Sequence, residues 1–128
     1  MTETGFVPEA RYMMRALELA AQAAAMGEVP VGAVVVQKST GRIIGEGYNR
    51  READRSPLAH AEIMAIDAAS RTLGGWRLLD SALYVTLEPC PMCAGAILHA
   101  RLEQVVYGTA DPKGGAVDSV EQLFTLPY

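Results

Sequence analysis

Two short runs carry the residues able to do chemistry. One is His60-Ala61-Glu62. The other is Pro89-Cys90-Pro91-Met92-Cys93, which holds both cysteines of the chain. Two cysteines are too few for a disulfide scaffold, so a metal site or a redox pair is the reading open to them. On the first turn of a helix Cys90 and Cys93 project to the same side, at metal-chelating distance. The positive end of the helix dipole there favours thiolate over thiol. One imidazole added to the pair makes three protein ligands. Zinc takes four, so one position stays open for water, which is the arrangement of a catalytic ion and not a structural one. The metal lowers the pKa of that water toward neutrality. Glu62, two residues past the imidazole, can then reach the water without binding the ion and move its proton to a substrate.

Each of these residues has a plainer reading when taken alone. His60 is an ordinary helix-start or surface histidine. Glu62 is a first-turn carboxylate favoured by the helix dipole. The cysteine pair is a thioredoxin-like dithiol. The joint pattern is far more specific than its parts, and it favours zinc-dependent hydrolysis over redox or structural use.

The elements that must position these runs follow from apolar spacing and turn residues. The chain has 128 residues and a mass of 13.7 kDa, one domain's worth of sequence. Half the residues are hydrophobic and a fifth are charged, a globular composition. Residues 9–26 read as a helix, with Gly27 as its stop. Val31–Val36 and Arg42–Tyr48 read as two strands joined by the Ser39-Thr40-Gly41 turn into a hairpin. Residues 60–73 turn helical again and close at Gly74-Gly75. Leu83–Leu87 is a strand. Pro91 then opens a helix to about His99, its missing N–H costing nothing in the first turn. Gln104–Tyr107 is a last strand, residues 111–115 are a loop, and Val117–Phe124 reads as a short helix. The order α-β-β-α-β-α-β predicts a sheet with helices packed on it. The last two strands flank a helix and are expected to run parallel, joined by a right-handed crossover.

Charge and composition exclude several classes. The formal net charge is −4 and the sequence pI is about 5.1, a poor match to a broad, non-specific nucleic-acid binder. Local cations remain: Arg50, Arg51 and Arg55 lie together, and Arg101 and Lys113 flank a later segment. No apolar run approaches the ~20 residues of a membrane span. The start Met1-Thr2-Glu3-Thr4-Gly5 has no basic region followed by an apolar stretch. The expectation is a soluble cytoplasmic protein.

Other residues admit two readings each. Asn49, at a strand end, could offer donor and acceptor to a purine edge, or be a turn asparagine. Gly32 fits close approach of a ligand to the backbone, or a bulge. Val31 and Leu87 fit a pocket wall or the core, and Asp111 before Pro112 is by itself a turn residue. His99 reads as structural, Trp76 as packing, and the methionines as core filler.

H-x-E…P-C-x-x-C is the signature of zinc nucleobase deaminases. More closely, the chain resembles the bacterial tRNA adenosine deaminases of the cytidine-deaminase-like superfamily. The resemblance rests on Glu28–Val34, Gly47–Arg50, His60–Ala65, Tyr84–Ala96, His99–Arg101 and Val105–Gly108, and it covers nearly the whole chain. It implies a three-layer α/β/α sandwich, a central mixed sheet with helices on both faces. It implies a homodimer acting on a tRNA anticodon stem-loop, converting adenosine to inosine at the wobble position. By motif, His60, Cys90 and Cys93 hold Zn²⁺ and Glu62 shuttles protons while hydroxide attacks C6 of the purine and ammonia leaves. Asn49 matches the asparagine that contacts the flipped base, Val31 and Leu87 match its pocket wall, and Asp111 matches an acidic position near the ribose.

The sequence departs from the family in two places. The family's pattern continues with another strand and a long helix, whereas this sequence ends at Leu126-Pro127-Tyr128. It therefore reads as a single deaminase domain over 1–128 that lacks those elements and leaves a sheet edge open. Ser56-Pro57-Leu58 also stands where the family has Asp-Pro-Thr. The alternatives are a deaminase of a free base or nucleoside (guanine or cytosine type), a non-catalytic zinc-binding module, and a dithiol redox protein.

Overall fold

A computed structural model describes residues 5–120 and 122–125. The readings made at Met1–Thr4 and at Leu126–Tyr128 lie outside these residues. The elements are α1 (Ala10–Ala25), β1 (Gly32–Gln37), β2 (Arg42–Tyr48), α2 (Ala61–Leu73), β3 (Ser81–Leu87), α3 (Pro91–His99) and β4 (Gln104–Thr109). The expected order holds, and each boundary falls within two residues of the predicted one. Gly74 closes α2 in the left-handed conformation, with φ at +74°.

The four strands lie in the order β2-β1-β3-β4. β1 is antiparallel to β2 and to β3, while β3 and β4 are parallel. The sheet is therefore mixed, as expected, with β2 and β4 at its edges. Both faces are covered, which is why β1 reads as an unbroken β-branched run and not as an alternation. Val34, Val36, Ala82 and Tyr84 pack against Tyr12 and Leu19 of α1. On the other face Ala33, Val35, Leu83 and Val85 pack with Ala61, Ala65 and Ala69 of α2 and with Ile97 of α3. This is a three-layer α/β/α arrangement.

Glycines set how close the helices come to the sheet. A Cβ on Gly45 or Gly47 would collide with the backbone of α2 at Ala65, Ala69 and Ala61. The Ala61, Ala65, Ala69 stripe at i, i+4, i+8 thus rests directly on the β2 backbone. Gly32 does the same for α1, where an added Cβ would lie 2.6 Å from the Ala20 nitrogen. The open space expected for a ligand at Gly32 is filled by a helix. The bulge lies elsewhere, between Val35 and Val36 opposite Ile43–Gly45.

Close approach matters because α2 carries His60 and Glu62 at its start. The expected result for Gly47→Ala is a loss of about 1–3 kcal/mol, the range of core overpacking, with activity reduced as α2 shifts. Urea unfolding of wild type and variant checks this. An unchanged midpoint would show that α2 is free to move.

Three local expectations are corrected. Among the described residues of Val117–Phe124 there is no α-helix: residues 116–119 are turns and Leu123–Thr125 forms a 3₁₀ turn. The N–H groups of Val117, Asp118 and Ser119 are taken by the Glu88 carboxylate. The chain here is bent around that side chain. Trp76 is not packed inside. It is 54 % exposed, with the Arg77 guanidinium 4.4 Å from its ring centroid. Met14 and Met26 are exposed as well, so not all methionines fill the core.

Candidate metal centre and active site

The strand directions gather the site at one end of the sheet. Gly32 opens β1 opposite Tyr48, the last residue of β2. Leu87 ends β3 beside Thr109, the last residue of β4. Residues just beyond these ends therefore converge: Val31, Asn49, Glu88–Cys90 and Asp111. The N-termini of α2 and α3 face the same place, adding the partial positive charge of two helix dipoles.

His60 and Cys90 occupy equivalent positions. Each is the N-cap of its helix with extended backbone, and neither side chain caps its own helix. N-caps are usually small polar residues whose side chains fold back onto the helix. Here the side chains turn toward each other instead. His60 Nδ1 lies 3.7 Å from Cys90 Sγ and 3.6 Å from Cys93 Sγ. The three donor atoms lie within 4.8 Å of one another. Tetrahedral zinc with ordinary Zn–N and Zn–S bonds holds such atoms about 3.6 Å apart. The donor set and its spacing thus fit zinc.

The electrostatics of the pair agree with that. Cys90 is pulled down to about 5, chiefly by a hydrogen bond from Cys93, with the His60 ring contributing. Cys93 is pushed up by the same hydrogen bond and by burial. One proton is shared between two sulfurs, leaving a thiolate ready for a cation. Glu62 is 4 % exposed. Burial pushes its carboxyl up to about 7, and the Cys90 sulfur adds to the rise. A carboxyl poised near neutrality both takes and gives a proton.

A cavity of about 220 Å³ opens over this cluster, lined by Val31, Asn49, His60, Glu62, Leu87, Cys90 and Asp111 among others. That is below the roughly 300 Å³ at which drug-sized ligands are usually enclosed, so it suits a single base-sized group. The sequence-selected residues all line it except Cys93, which is buried behind Cys90. A larger cavity of about 640 Å³ lies on the α1 side. It contains neither histidine nor cysteine, so size does not choose the site.

Asn49 and Asp111 make the hydrogen bonds of turn residues and also line the cavity. Asn49 is buried, donates from Nδ2 to the Val29 carbonyl at 3.3 Å and accepts from the Arg51 N–H at 3.1 Å. Asp111 accepts from the Lys113 and Gly114 N–H groups, as a turn aspartate does.

Glu88 was missed. It is 2 % exposed and accepts from the N–H groups of Asp111, Val117, Asp118 and Ser119, and from the Ser119 hydroxyl. The loop wall that contains Asp111 is thereby tied to the strand end next to Cys90. Its one sequence signal is Gly115, where a Cβ would collide with the Glu88 carboxylate. Burial pushes this carboxyl up, but the hydrogen bonds from Ser119, Asp118 and Asp111 outweigh it and hold the group at about 2. A depressed carboxylate stabilises the fold above its unfolded pKa and ceases to do so as pH falls through the folded value. Acid unfolding should therefore set in between about pH 4.5 and 2. Glu88→Gln turns an NH₂ toward N–H donors and should cost about 1–3 kcal/mol at neutral pH. Its stability should also vary less over that acid range. Denaturant titrations at several pH values check both, and parallel wild-type and variant curves would contradict the assignment.

Comparison with known proteins agrees with the geometry. Residues 8–109 match the cytidine and deoxycytidylate deaminase zinc-binding region. The chain is 50% identical over 112 residues to a tRNA-specific adenosine deaminase of Bacillus subtilis, a match covering 88% of this chain and 68% of that protein. The chain spans 65–70% of the length of the curated relatives compared. Among solved structures, a tRNA:A34 deaminase that edits A to I at the wobble position superposes with a TM-score of 0.89 at 46% identity, covering 93% of this chain and 85% of that one. A guanine deaminase from Bacillus subtilis superposes at 0.76 with 33% identity, covering 95% and 84%. His60, Cys90 and Cys93, spaced for one ion, and the buried Glu62 all fall within the matched residues. On sequence and structure together, the chain belongs to the cytidine and deoxycytidylate deaminase zinc-binding family.

Proposed function

We propose that this protein is a zinc-dependent tRNA adenosine deaminase, a single domain over 1–128 that converts adenosine to inosine in the anticodon stem-loop at the wobble position. The observation that carries the reading is the convergence of His60, Cys90, Cys93 and Glu62 on one base-sized cavity, in a chain 50% identical to a tRNA-specific adenosine deaminase.

His60 Nδ1 and the two sulfurs hold zinc. When bound, the ion acts as a Lewis acid that makes water nucleophilic near neutral pH. Glu62 would take one proton from the water whose oxygen bonds to C6 and pass it to the purine N1, then take the second from the resulting C6 hydroxyl and give it to the amino group, so that the C6–N bond breaks and ammonia leaves. Val31 and Leu87 exclude water from the faces of the base. The Asn49 amide meets the purine edge, and Asp111 lies toward the ribose. A homodimer and a cytoplasmic setting belong to the same reading, through the resemblance to the tRNA deaminases. Among the described residues no helix is long and apolar enough to cross a membrane.

The guanine deaminase likeness and the net charge of −4 favour a free-base deaminase as the second reading. One assay separates the two. Zinc-replete protein is given an anticodon stem-loop bearing adenosine at the wobble position, with free adenosine, adenine, guanine and cytosine in parallel. Inosine in the RNA alone is the expected result. Turnover of a free base alone would keep the chemistry and overturn the substrate.

A further inference from the structure

The cavity lining carries three carboxylates, Glu62, Glu88 and Asp111, and one side chain that is always cationic, Arg51. At about 220 Å³ the cavity takes a single base, so the phosphates that flank the substrate nucleoside lie outside it, at the rim. Arg51 stands at that rim with its side chain exposed. Its neighbour Arg50 is already engaged, with Nη2 at 3.1 Å from Asp54 and Nη1 donating to the Tyr48 hydroxyl. No ion pair among the described residues occupies the Arg51 guanidinium.

The loop that presents Arg51 is held from beneath by two buried side chains. Asn49 accepts the Arg51 N–H at 3.1 Å, and Glu28 accepts the N–H groups of Glu52 at 3.1 Å and Ala53 at 2.8 Å. The Ser56 N–H closes the turn onto the Arg51 carbonyl. Spending two buried polar groups on one surface loop fixes where that guanidinium starts from. It also links Asn49 in the pocket to Arg51 at its mouth. A guanidinium fork matches phosphate geometry in bidentate fashion.

We propose that Arg51 binds the backbone phosphate flanking the substrate nucleoside at the mouth of the pocket, and so selects a nucleoside within RNA over a free base. This rests on the RNA-deaminase reading above.

The test uses the zinc-loaded full chain and the wobble-adenosine stem-loop, across a range of salt concentrations. Arg51→Ala is expected to raise KM roughly 3- to 10-fold with kcat held, because a phosphate grip acts equally on ground and transition states. The slope of log KM against log salt should fall by about 1. Arg51→Lys recovers part of the loss. A neutral methylphosphonate at the linkage flanking the wobble adenosine should weaken wild type by the same factor and Arg51→Ala no further. Arg77→Ala, whose guanidinium lies over Trp76, serves as the charge control and leaves the slope intact. If wild type edits the RNA while Arg51→Ala shares its KM and salt slope, the proposal is overturned. If wild type turns over only free bases, the RNA reading itself falls, and the wild-type assay shows that before any variant is made.

Discussion

Replacing Glu62 with glutamine is expected to lower kcat about 10²- to 10⁴-fold, the usual contribution of a general acid–base group, while leaving one zinc per chain. The amide has nearly the size of the carboxyl, so the cavity and the Ala61 stripe beneath it keep their shape. What is lost is the capacity to take and return a proton. Wild-type Glu62 is buried and held up to about 7, so both of its protonation states are populated near neutrality. Glutamine has only one. Single-turnover measurement of inosine, with metal content determined on the same sample, separates the two ways of losing activity. Full zinc with collapsed turnover is the expected outcome. Unchanged turnover would remove Glu62 from the mechanism, and lost zinc would mean that it supports the metal instead.

The residues behind that expectation were legible because the information about them is local. H-x-E and C-x-x-C each fit within one helix start, and N-cap geometry fixes the side chains relative to one another inside a turn. The parallel β3–β4 pair also followed from local order, since a helix lies between the two strands. The contacts that went unseen link distant residues. Glu88 meets partners 23 to 31 positions away, and no periodicity in its neighbourhood marks it. The false helix at Val117–Phe124 comes from the same source. Its propensity is real, but a buried carboxylate captures the first N–H groups and the chain bends. Gly32 was ambiguous because a glycine reports only that something comes close. Whether that neighbour is a ligand or the backbone of α1 is settled by which face the helix covers. Asn49 shows another case: its turn reading is met by the bonds to Val29 and Arg51, made by an amide that also lines the cavity.

Removing a sulfur should have the largest effect of all. Cys90→Ala leaves two donors where tetrahedral zinc with an open position needs three from the protein, and zinc content should fall from one per chain to under about a tenth of that. Turnover falls with it to the background of a metal-free pocket. Cys90 is the sulfur to remove because it lines the cavity, whereas Cys93 is fully buried and its truncation would also disturb the core. Without Cys90 the pocket keeps one sulfur and an imidazole, a weak pair for any divalent cation. Linkage gives a readout independent of activity. A ligand that binds only the folded state adds about 2.7 kcal/mol at a free concentration 100 times its dissociation constant. Wild-type Tm should therefore climb by several degrees on zinc addition, and Cys90→Ala should not respond. Far-UV circular dichroism on the variant confirms that a fold is present to be measured. A folded Cys90→Ala protein that retains a full zinc equivalent would contradict the ligand set and move the ion elsewhere. A folded variant that has lost both zinc and the thermal response ties His60, Cys90 and Cys93 to one ion, because their donor atoms lie within 4.8 Å of one another.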